Sequence, residues 1–193
     1  MRRAGFTLIE AVIALALIGL VVTKLTLVME EARHAHQEES VALALQDQAM
    51  ILLDKIAYAI VGSSSSKLDP KQVVPFAAEK IQFQVSLGVE DGKPVWGDPE
   101  VIGLMENTGQ VYWGQNMGAA EQRLVVWANT VSQMLEDELL NGVDDNQNEL
   151  ADELGLAFVV DEKSVIIRLT LENVRDDGER QQVTQETIVT CRN

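Results

Sequence analysis

The stretch MRRAGFTLIEAVIALALIGLVVTK, residues 1–24, decides how the rest of the chain is read. From Phe6 to Val22 nearly every residue is apolar, and Arg2 and Arg3 stand just ahead. About 20 apolar residues at 1.5 Å each cross a bilayer, so the run has the length of a membrane span. Within it only Thr7 and Glu10 are polar. A charged side chain in hydrocarbon costs about 2.5–3.5 kcal/mol on insertion scales, so an acidic residue there calls for a partner and a purpose. Thr7 carries no charge to neutralise Glu10, so the partner is expected outside the run. A secretory signal peptide would end in a small-x-small cleavage site. Thr23-Lys24-Leu25-Thr26 follows instead. A plain anchor would explain neither Glu10 nor Gly5.

Gly5-Phe6-Thr7-Leu8-Ile9-Glu10, preceded by Arg2-Arg3, resembles the processing site of the type IV pilin and pseudopilin family. The resemblance implies that a membrane-embedded prepilin peptidase removes a leader, residues 1–5, by cutting between Gly5 and Phe6 on the cytoplasmic side. Phe6 would then be N-methylated. Gly5 has no side chain, which leaves its carbonyl open to attack. By the same resemblance, Glu10 pairs during assembly with the terminal amine of a neighbouring subunit. In the low dielectric of a membrane or filament core such a pair is strong enough to set register. Arg2 and Arg3 would hold the leader on the cytoplasmic side.

Helical character continues past the membrane run, without Pro, as far as Val61. Val41, Leu45, Ala49, Leu52, Ile56 and Ile60 recur at helical spacing, giving the second half one apolar stripe. A helix over 6–61 is expected, with its membrane span at 6–23; 56 residues reach about 84 Å. Gly62, the serines at 63–66 and Asp69-Pro70 end it and open a linker, 62–75. Residues 76–193 read as a β-rich head. Ile81–Leu87 alternates as one half-buried strand, and Glu90-Asp91-Gly92-Lys93 is a turn. Val101–Met105, Gln110–Trp113 and Leu124–Trp127 read as strands. Val165, Ile167, Leu169 and Leu171 form one face of another, with Arg168, Thr170 and Glu172 opposite. Arg175-Asp176-Asp177-Gly178-Glu179 is a turn, after which Val183–Cys191 pairs back. Residues 129–140 read equally as helix or irregular chain. The expected fold is α+β, pilin-like: a long helix packed at its distal half on an antiparallel sheet.

The chain carries 30 acidic and 15 basic residues, a formal net charge of −15. So acidic a body repels phosphates, and no nucleic-acid partner is expected. One cysteine, Cys191, excludes an internal disulfide and reads as a passive thiol. His34 and His36 are two apart, so on a helix they point to different faces and read as surface residues rather than a metal pair. Trp96, Trp113 and Trp127 read as sheet packing rather than a carbohydrate platform.

The second chemical signal is an acidic loop, 141–155. Asp144, Asn146 and Asn148 stand at alternate positions, Leu150 offers a carbonyl and Asp152 follows, with Glu153 beside it. Calcium takes six to eight oxygen ligands, and alternating Asp/Asn loops wrap it. The pattern resembles the ligand half of an EF-hand-type loop and makes calcium the one expected cofactor, in a structural role. Glu149 stands where that pattern has its tight-turn glycine, and Gly155 where it ends in a bidentate glutamate.

No nucleophile elbow, phosphate loop or zinc signature is present, so no enzymatic activity is expected. The resemblance implies a minor pseudopilin of a type II secretion system, most like the J class. Its partners would be I- and K-class minor subunits, the major pseudopilin and the prepilin peptidase. Its place would be the bacterial inner membrane, single-pass, with the head in the periplasm. The rivals are a minor pilin of a type IV pilus and a membrane-anchored binding or hydrolytic domain that merely borrows the leader.

Overall fold

The computed structural model describes residues 7–70, 77–105, 107–161, 163–175 and 178–191. Gly5 and Phe6, and the turn residues Asp176 and Asp177, lie outside them. Helix α1 spans Leu8–Val61, 54 residues, and ends where the sequence places its end. The chain forms two compact units, Met1–Val41 and Ala42–Asn193.

In the first unit the helix stands bare. No described residue before Leu45 is buried. Leu8, Ile9, Leu15, Leu17 and Leu20 all face outward. This is the one helix among the described residues long and apolar enough to cross a membrane.

In the second unit the helix gains a buried face. Leu45, Ala49, Leu52, Leu53, Ile56 and Ile60 are its buried residues, close to the stripe read from spacing. Val41 remains only partly covered. The Lys55 ammonium lies 4.3 Å from the centre of the Trp127 ring, a cation–π contact between helix and head. Past the helix, Gly62 accepts a hydrogen bond from the Ser86 amide at 3.1 Å. Ser63 and Asp69 form isolated bridges with Val85 and Gln82. The segment after the helix is therefore stitched to the head, with a short 3-10 turn at Ser65–Lys67.

Among the described residues the head holds nine strands. A four-stranded antiparallel sheet comprises β1 (Lys80–Phe83), β4 (Glu100–Met105), β5 (Gln110–Gln115) and β6 (Arg123–Ala128), in the order β1-β4-β5-β6. β2 (Ser86–Glu90) and β3 (Lys93–Trp96) form a separate hairpin. Its tip, Asp91 and Gly92, has φ of 50° and 75°, the left-handed pair of a type I′ turn. β7 (Leu156–Asp161), β8 (Ser164–Val174) and β9 (Arg180–Thr190) form a three-stranded antiparallel sheet in that order.

The run Ile81–Leu87, read as one strand, is two. Ile81 and Phe83 are fully buried in β1, whereas Leu87 and Val89 of β2 are exposed. The chain leaves the four-stranded sheet at Gln84, whose side-chain amide donates to the Gly97 carbonyl at 3.1 Å. On β8 the expected face holds: Val165, Ile167, Leu169 and Leu171 are buried. Thr170, assigned to the opposite face, is buried as well. Its hydroxyl shares a hydrogen bond with Thr184 at 2.8 Å and accepts one from the Glu136 amide at 3.2 Å. Residues 129–140 form no helix. They run irregularly beside β8, with a bridge from Val131 to Leu171. The tryptophans are all half-buried. Trp113 donates from Nε1 to Glu100 at 2.7 Å, and Lys67 lies over Trp96 at 5.5 Å.

Candidate functional site

Two groups of residues carry chemistry, one in each unit. The first opens α1. Thr7 sits immediately before the helix, and its Oγ1 accepts from the Glu10 amide at 3.4 Å. Glu10 reaches back: its Oε2 accepts from the Thr7 amide at 2.9 Å and from the Thr7 hydroxyl at 2.9 Å. This is a reciprocal capping box, with Thr at the cap and Glu three residues on. It satisfies donors that the first helical turn would otherwise leave without partners. The sequence reading sends Glu10 outside its own run for a partner. The structure adds a hydrogen-bonding partner inside it, Thr7, which leaves the charge itself to be matched from elsewhere. Gly5 and Phe6, the expected cleavage residues, lie outside the described residues.

The second group is the acidic loop. It is organised by two carboxylates that are almost fully buried, Glu138 and Glu153. Glu138 Oε1 accepts from the Asp145 and Asn146 amides, both at 3.2 Å, and its Oε2 accepts from the Asp152 amide at 3.1 Å. The loop closes around this one side chain. Asp144 accepts from the Asn148 amide at 3.0 Å and the Glu149 amide at 2.7 Å. Asp152 Oδ1 accepts from the Asn141 and Gly142 amides at 2.7 and 2.8 Å. Asn148 Oδ1 accepts from the Leu150 amide at 2.9 Å, and Leu150 is buried. Backbone amides thus offset part of the repulsion among these carboxylates. Glu149, which stands in the glycine position, has φ of 70°, the left-handed conformation a glycine would supply there.

Glu153 anchors the far side. Its Oε1 accepts from Arg168 Nη1 of β8 at 2.8 Å. Its Oε2 accepts from the side-chain amides of Asn146, at 3.4 Å, and Asn148. Arg168 also donates from Nε to Glu186 of β9 at 2.7 Å. Partial burial works against the Arg168 charge, but the hydrogen bonds and charges of Glu186 and Glu153 outweigh it and hold the guanidinium above its ordinary range. Gly155 follows, and a Cβ there would collide with the Ser132 carbonyl, so the position cannot carry the glutamate of an EF-hand-type loop.

Of the residues singled out in the loop, Asn146 and Asn148 both meet Glu153. Asp144 joins them through the Asn148 amide. Asp152 turns toward the loop's start at Asn141 and Gly142. No three His, Cys, Asp or Glu side chains converge as a metal-ligand group among the described residues. Oxygens for a cation would have to come in part from the asparagines and the backbone. Glu138 and Arg168 were not singled out from sequence. Arg168 carried one signal, a lone cation on a strand whose alternate residues are apolar; Glu138 carried none.

No curated protein and no solved structure matches the chain significantly. Residues 1–23 match the family described as the prokaryotic N-terminal methylation motif. The motif points to processing by a prepilin peptidase and to assembly with other pilin-like subunits. The bare apolar helix fits membrane anchoring of a soluble head. The chain thus carries the N-terminal segment of type IV pilin-like proteins, the building blocks of a pilus or pseudopilus.

Proposed function

We propose that the chain is a minor pseudopilin of a type II secretion system, cut between Gly5 and Phe6 and N-methylated at Phe6. It is held in the inner membrane by α1 with its head in the periplasm. One observation carries this reading: the methylation motif, at residues 1–23, heads a 54-residue helix whose distal half is buried against an antiparallel head. An anchored binding domain would need only the apolar run. Here the helix also carries Thr7 and Glu10 in a reciprocal cap at its tip, so that the one intramembrane carboxylate has a fixed position from which to meet a neighbour's amine. The J class is favoured by the chain's 193 residues, by the strands from Lys80 to Gln115 and by the closing β8–β9 hairpin. J-class heads join I- and K-class partners in a complex that starts the pseudopilus.

The test uses the full-length chain, tagged at its C-terminus and expressed in its own cells. Membranes are solubilised in mild detergent and the co-purifying proteins identified by mass spectrometry. Two further pilin-like chains in stoichiometric amounts, with secretion machinery, are expected. Recovery with pilus assembly components would make it a minor pilin instead. Recovery alone, in a form lacking cleavage at Gly5, would overturn both.

A further inference from the structure

The last strand of the head leaves a row of main-chain groups unused. β8 and β9 pair without a break over the 11 residues of β9. Just beyond the two ends of this ladder, the Cys191 amide donates to the Lys163 carbonyl at 2.8 Å, and the Arg175 amide donates to the Glu179 carbonyl at 2.9 Å. Both bonds continue the same register, and on the β9 side both fall on odd-numbered residues. Bonded and unbonded pairs alternate along an antiparallel ladder. The odd residues of β9 therefore bond to β8. The even ones, Gln182, Thr184, Glu186 and Ile188, turn their N–H and C=O groups away from it. β9 is the outer strand of its sheet, and among the described residues no protein group bonds to this outward row. Other edges of the head are closed or interrupted. Gln82 of β1 exchanges two main-chain bonds with Asp69, at 2.7 and 2.9 Å, and Phe158 of β7 does the same with Ala78, at 2.8 and 3.0 Å. β3 carries Pro94, and β6, with six residues, pairs with β5 across a register shift. β9 has no Pro, Gly or Lys, and its two charges are Arg180 and Glu186. Proteins blunt their long, flat edges because an open edge templates another strand. Here an edge of about 37 Å, at 3.4 Å per residue, is left straight and open.

We propose that β9 is a docking edge, to which a neighbouring, less acidic pilin-like subunit adds an extended segment as a fourth strand. The proposal rests on the reading that the chain assembles with other pilin-like subunits, whichever machinery they serve. The outward row fixes the chemistry of the occupant. Donors and acceptors alternating along a straight edge are matched by another extended backbone, whose main-chain bonds supply affinity while side chains choose the partner. A second copy of this chain is a poor occupant, because each copy carries a net charge of −15 and two such bodies repel. The same charge favours a neighbour whose edge is neutral or basic. Ile188, 62% exposed, offers the residue opposite it an apolar cross-strand contact.

The experiment is hydrogen–deuterium exchange at single-amide resolution on the full-length tagged chain. It is run on the chain produced alone in detergent, and on the complex purified with it from its own cells, whose members are identified by mass spectrometry. In the chain alone the amides of Gln182, Thr184, Glu186 and Ile188 are expected to exchange fast, and those of Val183, Gln185 and Thr187 slowly. In the complex the four outward amides are expected to slow at least a hundredfold. Ile188→Pro removes one outward N–H and no bond to β8, a place where an edge strand tolerates proline. It is expected to keep the melting temperature within a few degrees and to cut recovery of the neighbouring subunit at least fivefold; if that variant does not fold, exchange in the unaltered chain decides. A complex with another pilin-like subunit in which the outward amides still exchange as in the chain alone would overturn this inference and leave the proposed function standing. Recovery with no pilin-like partner would overturn both. Protection of the same amides in a dimer of this chain alone would overturn the choice of a different subunit as occupant.

Discussion

Arg168 Nη1 lies 2.8 Å from Glu153 Oε1, while Arg168 Nε lies 2.7 Å from Glu186 Oε2, so one guanidinium joins a carboxylate with no exposed surface to one that is 45% exposed. The two bonds have similar lengths but different worth. Solvent screens the Glu186 pair, and exposed ion pairs contribute about 0–1 kcal/mol. Glu153 has no water to fall back on. Glu186→Gln is expected to shift unfolding by less than about 1 kcal/mol. Arg168→Met leaves a buried carboxylate without its cation and is expected to cost about 3–5 kcal/mol. Urea unfolding of the detergent-solubilised chain measures both, and equal losses would show that burial does not set the difference.

Glu138 is the post around which the loop is wound. A glutamine has one acceptor oxygen, and its NH2 group would face a backbone donor. Glu138→Gln is therefore expected to cost about 1–3 kcal/mol, the usual penalty for a buried donor left without an acceptor. Hydrogen exchange should locate the damage: faster exchange at the Asp145, Asn146 and Asp152 amides, with β5 unaffected.

Cys191 is buried, and its amide donates to the Lys163 carbonyl at 2.8 Å. Burial pushes its thiol pKa up. Below the unfolded thiol's pKa, about 8.5, both states are protonated and the group has no effect on pH dependence. As pH rises above it, the unfolded chain loses its proton first, so stability falls until the folded thiol also ionises. The expected result is slow alkylation of Cys191 by iodoacetamide at pH 8 that becomes fast in denaturant, and a shallower alkaline loss of stability in Cys191→Ser. Equal alkylation rates with and without denaturant would contradict the burial.

Glu10→Ala is expected to leave cleavage between Gly5 and Phe6 intact, the mature mass changing only by the substitution itself, because the cut lies four residues away. It should sharply reduce incorporation into assembled fibres. Crosslinking of subunits in the membrane separates the two steps. Normal incorporation would mean that the carboxylate serves only as the cap of its own helix.

Features that depend on local chemistry could be read directly from the sequence. Gly62 and four serines stop the helix at Val61, and the spacing of Leu45, Ala49, Leu52, Ile56 and Ile60 identifies its buried face. The inward face of β8 follows from alternation alone. Other elements needed tertiary contacts. Leu156–Asp161 was not read as a strand because its apolar residues run together instead of alternating, as a strand covered on both faces requires. Ile81–Leu87 alternates without interruption, so its pattern conceals the departure at Gln84. Pro94 obscured β3, where it is tolerated at the exposed edge of a two-stranded hairpin. In the loop, the alternating Asp and Asn residues were visible. The burial of Glu138 and Glu153 was not, because it depends on Arg168 and on amides brought there by the fold. Glu149 looked like a departure from the loop pattern, yet its backbone takes the left-handed turn regardless.

The bare apolar stem, from Leu8 to Met29, has a consequence for how a subunit changes place. Its large side chains are exposed among the described residues. Each square ångström shown to water costs about 25 cal/mol, so a passage through solvent is closed to it. Lipid and a bundle of like stems are the two hosts that accept such a surface, and both can do so at once along different faces. In the proposed assembly, transfer from one host to the other would therefore be a lateral handover, side chain by side chain. The same geometry that makes entry gradual also makes escape of a single subunit slow.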